Sequence, residues 1–301
     1  MQTSWLTEQQ NANSAGLDQR PTKEILNIIN HEDQQVAIAV SKAVDQIEQA
    51  VEAFVEAYTK GGNIFYIGAG TSGRLGILDA VECPPTFSTS PDRIQGILAG
   101  GIGAFSEAVE GQEDDRDSGQ QLITEKKMTA DDLVIGIAAS GQTPFVLGAI
   151  ETAKHHQITT VGITNNPDGA LADLVDIPIV AAVGPEVVAG STRLKAGTAQ
   201  KMVLNMISTT SMVKLGKVYD NYMVDVKATN KKLRRRAMNM LQNLTQKPEA
   251  QIEAALIGSG YDVKTSLLML KAEVSFEVAS SALTQNRGFV NQALDALRGE
   301  G

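Results

Sequence analysis

Asn63-Ile64-Phe65-Tyr66-Ile67-Gly68-Ala69-Gly70-Thr71-Ser72-Gly73-Arg74 is the stretch on which the fold turns. Four consecutive apolar residues, Ile64–Ile67, read as a strand buried on both faces. The glycine-rich turn that follows opens a helix, so its backbone N–H groups and the positive helix end can face an anion. Outward from this stretch the same alternation recurs. Strands are expected at Ile94–Leu98, Leu133–Ala138, Thr160–Ile163 and Ile177–Ala181, each followed by Gly, Ser, Asn or Pro as strand ends should be. Short apolar strands alternating with helices predict an α/β fold, a three-layer parallel sheet covered on both faces.

Toward the N-terminus, a polar opening up to Thr22 reads as a loose arm, and helical periodicity runs from Ile25 to Tyr58 through Val36, Ile38, Val40, Val44 and Ile47. Toward the C-terminus a helix is expected from about Thr192 to Leu215, with Gly216 as its stop. Beyond Tyr219 strand signals disappear, and a Lys247-Pro248 break and a Gly258-Ser259-Gly260 turn divide charged helical stretches. The expected organisation is an N-terminal arm with helices over 1–50, a ligand-binding catalytic domain over 51–222 and a small helical domain over 223–301.

The chain has 301 residues, 43% hydrophobic and 20% charged, which is globular composition with enough surface to bury a core. Its net charge of −9 repels phosphodiester backbones and anionic lipids, so neither nucleic acid nor membrane is expected as a partner. The basic run Lys231, Lys232, Arg234, Arg235, Arg236 has no interleaved aromatics and reads as a solvated or interface helix face. One cysteine, Cys83, excludes an intramolecular disulfide and fits a reducing compartment; it reads as a packing residue. His155 and His156 are adjacent and cannot converge on one ion from a helix, so no metal site is expected. Residues 1–18 lack the pattern of a secretory leader and no apolar run reaches spanning length, which makes cytoplasm the expected location.

Three loops carry phosphate-binding chemistry. The first contains Gly70, Thr71 and Ser72. Its glycines at 68, 70 and 73 match G-x-G-x-x-G, but the next strand, Ile94–Leu98, runs into Ala99-Gly100-Gly101 and lacks the acidic residue that holds a ribose. A P-loop fails as well, because Arg74-Leu75 stands where Lys and Ser/Thr belong. The second loop, Ala139-Ser140-Gly141-Gln142-Thr143-Pro144, places a proline suited to a first helical turn. The third runs through Gly190, Ser191, Thr192 and Lys195. Any one of them has an ordinary reading as a helix cap, but three on one edge of a parallel sheet lie where such sheets bind ligands. Gly70, Thr71, Ser72, Ser140, Gly141, Thr143, Ser191, Thr192 and Lys195, with Glu186 just before the third loop, are therefore the expected substrate-binding set for a small phosphorylated ligand.

Carboxylates flank these loops. Glu82 precedes Cys83-Pro84-Pro85, whose prolines are expected to end the first helix. At the helical rise it stands about 12–14 Å from the loop that begins its own helix. It reads either as a surface glutamate or as a group serving the far end of the ligand or the site of another subunit. Glu110, Glu113, Asp114, Asp115 and Asp117 form an acidic cluster that is either a solvated loop or a source of a proton-transfer residue. Glu186 is a further candidate acid or base.

Several runs resemble one family: Gly68–Arg74, Leu78–Phe87, Glu110–Asp115, Ala139–Pro144 and Gly184–Lys201. On these the chain is similar to the N-acetylmuramic acid 6-phosphate etherases of the sugar isomerase (SIS) superfamily, and the flanking segments extend the resemblance to nearly the whole length. The Glu-Cys-Pro-Pro-Thr-Phe and Glu-Asp-Asp runs are far more specific than the glycine loops, which the related regulator of glucokinase shares. The resemblance implies an SIS-type, flavodoxin-like sheet with N-terminal helices and a C-terminal helical bundle. It also implies cleavage of a D-lactyl ether without a cofactor, and a homodimer whose site is completed at the subunit interface. It assigns Glu82 to protonating the departing lactate and Glu113 to the second acid/base role. A sugar-phosphate isomerase and a non-catalytic sugar-phosphate sensor on the same fold are the alternatives.

Overall fold

Ile64, Phe65, Tyr66 and Ile67 are buried because the strand they form, β1 (Ile64–Gly68), lies inside a five-stranded sheet. The computed structural model describes residues 5–107, 111–226, 228 and 230–299. The sheet order is β2 (Ile94–Leu98), β1, β3 (Leu133–Ile137), β4 (Thr159–Thr164), β5 (Ile177–Val180), with every pairing parallel. Ile64 stands opposite Ile94 on one side and Leu133 on the other. This is the flavodoxin-like order, and the chain reverses its winding direction between β1 and β3, which opens a crevice at the carboxyl ends of those two strands.

Helices cover the sheet. They are α1 (Thr22–Ser41), α2 (Val44–Lys60), α3 (Gly70–Phe87), α4 (Arg116–Glu125), α5 (Pro144–His155), α6 (Ala170–Leu174) and α7 (Lys195–Lys214). Phe145, Val146, Ala149, Ile150 and Ala153 of α5 join Phe65, Ile67 and Val134 of the strands in one apolar cluster. Burying each such side chain stabilises the fold by about 1.5–3 kcal/mol. The chain divides into two compact units, one of residues 1–82 and 90–209, the other of 83–89 and 210–301. The second unit has its own core, in which Leu241, Ile252, Leu267, Leu268 and Ala293 are buried among α8 (Lys231–Thr245), α9 (Glu249–Gly258), α10 (Val263–Ala272), α11 (Phe276–Gln285) and α12 (Val290–Arg298). Among the described residues no helix is long and apolar enough to cross a membrane.

Three expectations are corrected. The opening segment is not loose: it folds into three short 3-10 turns, Leu6–Glu8, Ala12–Ser14 and Leu17–Gln19, and buries Thr7 and Asn11. Side-chain hydrogen bonds anchor it, and these leave no trace in hydrophobic periodicity. Pro84 and Pro85 do not end the first helix, since α3 continues to Phe87. Each proline has a helical φ but costs the helix one N–H donor and crowds the carbonyl four residues back, a cost borne within the last turns, and the helix closes where the Ser88 amide, at φ 53°, donates to the Pro84 carbonyl at 3.0 Å. Strand structure also persists past Tyr219: β6 (Val218–Tyr219) and β7 (Tyr222–Met223) pair as a hairpin. Its turn is Asp220-Asn221, with Asp220 at the left-handed φ that Asp and Asn tolerate.

Candidate functional site

β1 ends at Gly68 and α3 begins at Gly70, a turn tight enough to need glycine on both sides. A Cβ on Gly73 would lie 2.5 Å from the Gly68 carbonyl oxygen, and one on Gly68 would lie 2.7 Å from the Gly73 nitrogen. The outer glycines thus let the first helical turn close on the strand end. The amides of Gly70, Thr71 and Ser72 fall in that first turn, where no helical carbonyl precedes to accept from them. Thr71 also approaches the start of α7: its Cγ2 lies 3.3 Å from where a Cβ on Gly197 would stand.

A buried polar chain ties the loops together. Ser72 Oγ donates to Gln200 Oε1 at 2.9 Å, Gln200 Nε2 to Asn165 Oδ1 at 3.1 Å, and Asn165 Nδ2 to the Ala181 carbonyl at 2.8 Å. One link each comes from the first loop, α7 and the ends of β4 and β5. In the second loop Thr143 precedes α5 and Pro144 is its first residue. The Ser140 hydroxyl accepts from the Gln142 amide at 3.1 Å and keeps its own proton to donate. Gly141 takes φ +71°, and a Cβ there would lie 2.8 Å from Gly169 Cα. Asn166 Nδ2 reaches the Ser140 carbonyl at 3.4 Å.

In the third loop Glu186 is buried, and its carboxylate accepts from the amides of Lys195 at 3.0 Å and Ala196 at 2.9 Å, capping α7. Burial raises its pKa, and the two backbone donors oppose that only in part. The Lys195 ammonium is turned inward to Glu32 Oε2 at 2.5 Å, with both groups buried. Burial disfavours the Glu32 charge, but hydrogen bonds from Lys195, Asn13 and Asn11 outweigh it and bring the pKa down to about 2. Glu186 and Lys195 therefore shape the third loop from beneath. Gly70 is exposed, while Thr71, Ser140, Thr143, Ser191 and Thr192 remain half-buried at the carboxyl edge.

Glu82 and Glu113 are both exposed, and neither makes a hydrogen bond or ion pair among the described residues. With α3 starting at Gly70, Glu82 lies about 18 Å along the helix from the first loop, farther than the sequence estimate. Glu113 sits in a short turn, Gln112–Asp114, that packs on the carboxyl end of β2, where Gln112 Cγ comes within 3.0 Å of a Cβ position on Gly100. Asp115 of the acidic cluster caps α4 through the Ser118 amide at 2.8 Å. Glu110 lies outside the described residues. Arg74, at the failed P-loop position, donates to the carbonyls of Ala104 and Phe105 and holds the segment after β2.

Sequence reasoning missed Gln200, Asn165, Asn166, Glu32 and Asp79. The two asparagines directly after β4 were a readable signal, polar residues at the carboxyl end of a buried strand. Glu32 gave none, since its partner is 163 positions away. Asp79 on α3 accepts from Ser208 Oγ at 3.0 Å. Burial pushes its pKa up to about 6 against the hydrogen bonds of Ser208 and Tyr66 and the charge of Lys201.

Residues 46–154 match the glucokinase regulatory protein N-terminal SIS domain, 111–210 the SIS domain, and 220–294 the C-terminal lid domain of glucokinase regulatory protein. The chain is 49% identical to the N-acetylmuramic acid 6-phosphate etherase of Pasteurella multocida, over 97% of each chain. It is also 49% identical to that of Geobacillus thermodenitrificans, over 96% of this chain and 98% of the relative. Among solved structures, the phosphoheptose isomerase of Neisseria gonorrhoeae superposes with a TM-score of 0.51 at 16% identity, over 64% of this chain and 98% of that one. That likeness bears on the fold alone.

Proposed function

Because the chain belongs to the N-acetylmuramic acid 6-phosphate etherase family, we propose that it is a carbon–oxygen lyase that cleaves the D-lactyl ether of N-acetylmuramic acid 6-phosphate to N-acetylglucosamine 6-phosphate and D-lactate. The observation that carries this reading is 49% identity along essentially the full length of etherases. The place of such a reaction is amino-sugar catabolism and the recycling of cell-wall murein in the cytoplasm.

The phosphate is held by the first-turn amides of Gly70, Thr71 and Ser72 and by the hydroxyls of Thr71, Ser140, Thr143, Ser191 and Thr192, while Gly141, whose own amide donates to the Ala138 carbonyl, shapes the second loop. Their convergence at the β1/β3 crevice supports this. Ring opening gives an aldehyde that acidifies C2–H. A base takes that proton, its electron pair forms the C2–C3 double bond, and the C3–O bond breaks as the departing lactate oxygen is protonated. Water then adds at C3, so the sum is hydrolysis and needs no redox partner. An alkoxide leaves poorly unless protonated, which calls for an acid and a base. Glu82 donates to lactate and Glu113 serves as the second acid/base group, and both carboxylates are exposed and engaged by no other described side chain, which leaves them free to meet a substrate. The distance of about 18 Å between Glu82 and the loop on its own helix favours a homodimer in which a second copy of the chain completes each site.

Purified protein incubated with N-acetylmuramic acid 6-phosphate should release D-lactate without added metal or nucleotide, and Glu82→Gln should abolish that release. No lactate at any substrate concentration refutes the etherase, and tight sugar-phosphate binding in the same sample would leave a non-catalytic sensor.

A further inference from the structure

The N-terminal arm is anchored at both ends to the rim of the candidate site. The Leu6 amide donates to Asn166 Oδ1 at 3.3 Å, and the same asparagine holds the Ser140 carbonyl of the second loop. Asn11 Nδ2 donates to the Pro185 carbonyl at 3.0 Å, just before the third loop, and to Glu32 at 2.7 Å. Between these anchors the turn Leu6–Glu8 crosses from the end of β4 to the third loop. There Glu8 Oε2 stands 3.1 Å from where a Cβ on Gly190 would lie, and Gly190 takes φ +75°. The Glu8 carboxylate is exposed and makes no ion pair or hydrogen bond among the described residues. Its neighbour Thr7 is 1% exposed, and its hydroxyl is buried without a hydrogen-bond partner. An orphaned buried hydroxyl calls for an account, since it has given up its bonds to water and gained none in return.

We propose that Glu8, with Thr7 beside it, is a specificity-determining residue that contacts the sugar rather than the phosphate. A carboxylate repels a phosphate and accepts hydrogen bonds from O–H and N–H groups, so beside Gly190 it reads the donors of the ligand: ring hydroxyls and the acetamido N–H. The three loops hold the phosphate, and the arm selects what is attached to it. This inference rests on the sugar-phosphate reading of the site.

The test is a pair of affinities measured by calorimetry on the full chain, for N-acetylglucosamine 6-phosphate and for inorganic phosphate, with wild type, Glu8→Gln and Glu8→Ala. Glu8→Ala should weaken the sugar phosphate by about tenfold, about 1.4 kcal/mol, and leave inorganic phosphate within about twofold, with Glu8→Gln intermediate. The etherase KM should rise in the same order. Equal loss of both ligands would mean that Glu8 only props the third loop and would overturn the proposal, as would unchanged sugar-phosphate affinity. Absence of lactate release by wild type would count against the reaction while leaving the two affinities to judge the arm.

Discussion

Replacing Glu32 by Gln tests whether the buried Glu32–Lys195 pair holds the third loop. The substitution keeps the shape of the side chain and leaves the Lys195 ammonium, 2% exposed, without its ion-pair partner. The drop of the Glu32 pKa from its ordinary 4.5 to about 2 corresponds to about 3 kcal/mol in favour of the ionised carboxylate in the folded protein, at about 1.4 kcal/mol per pH unit. Removing one partner of a buried pair costs about 3–5 kcal/mol, so the two estimates agree on the scale. A carboxylate with a lowered folded pKa contributes its full stability above its unfolded value and loses it as pH falls. The gap between wild type and Glu32→Gln should therefore be complete at pH 7 and narrow between about pH 4.5 and 2. Urea titration followed by fluorescence reads it directly, because the one tryptophan, Trp5, adjoins the turn that docks on Asn166. The pair Glu32→Leu with Lys195→Met should recover part of the loss, since neither member of the ion pair is then left buried without the other. A loss below about 1 kcal/mol at pH 7, or a gap that stays constant into acid, would refute the reasoning.

Asp79→Asn should stabilise the protein at pH 7, by up to about 3 kcal/mol, because the folded pKa of about 6 lies above the ordinary 3.8 and ionisation opposes burial. The sign fixes the window: the advantage grows as pH rises from about 4 to 6 and vanishes below, as denaturation at pH 7 and pH 4 should record. Gly73→Ala places a methyl 2.5 Å from the Gly68 carbonyl oxygen and 2.6 Å from Leu98 Cδ1, so the loop must open. Binding of inorganic phosphate should fall by at least about tenfold, with a stability loss of about 1–3 kcal/mol, and unchanged phosphate binding would remove the first loop from the site.

The parallel sheet was legible because its central strands β1 and β3 are buried on both faces and read as short continuous apolar runs, while the edge strand β2 is only partly buried and was placed by its spacing and the glycines that follow it. Ile64–Ile67, Ile94–Leu98 and Leu133–Ile137 occupy the strands expected of them. The glycine and hydroxyl loops were legible for a related reason: the chemistry of a strand-to-helix turn is local, and so is its sequence signal. Glu82 and Glu113 were singled out only by the resemblance of the runs around them to the etherase family; by spacing alone they read equally as surface carboxylates.

Tertiary structure decided what those loops stand on. Lys195 reads as a ligand-facing cation in its loop, yet its ammonium meets Glu32 in the interior. Ser72 is fixed by Gln200, 128 positions on, and the arm at Leu6 by Asn166, 160 positions away. Each of these is a single polar contact between distant segments. Such a contact has no period and no composition, so it exists only once the sheet has brought its strand ends together.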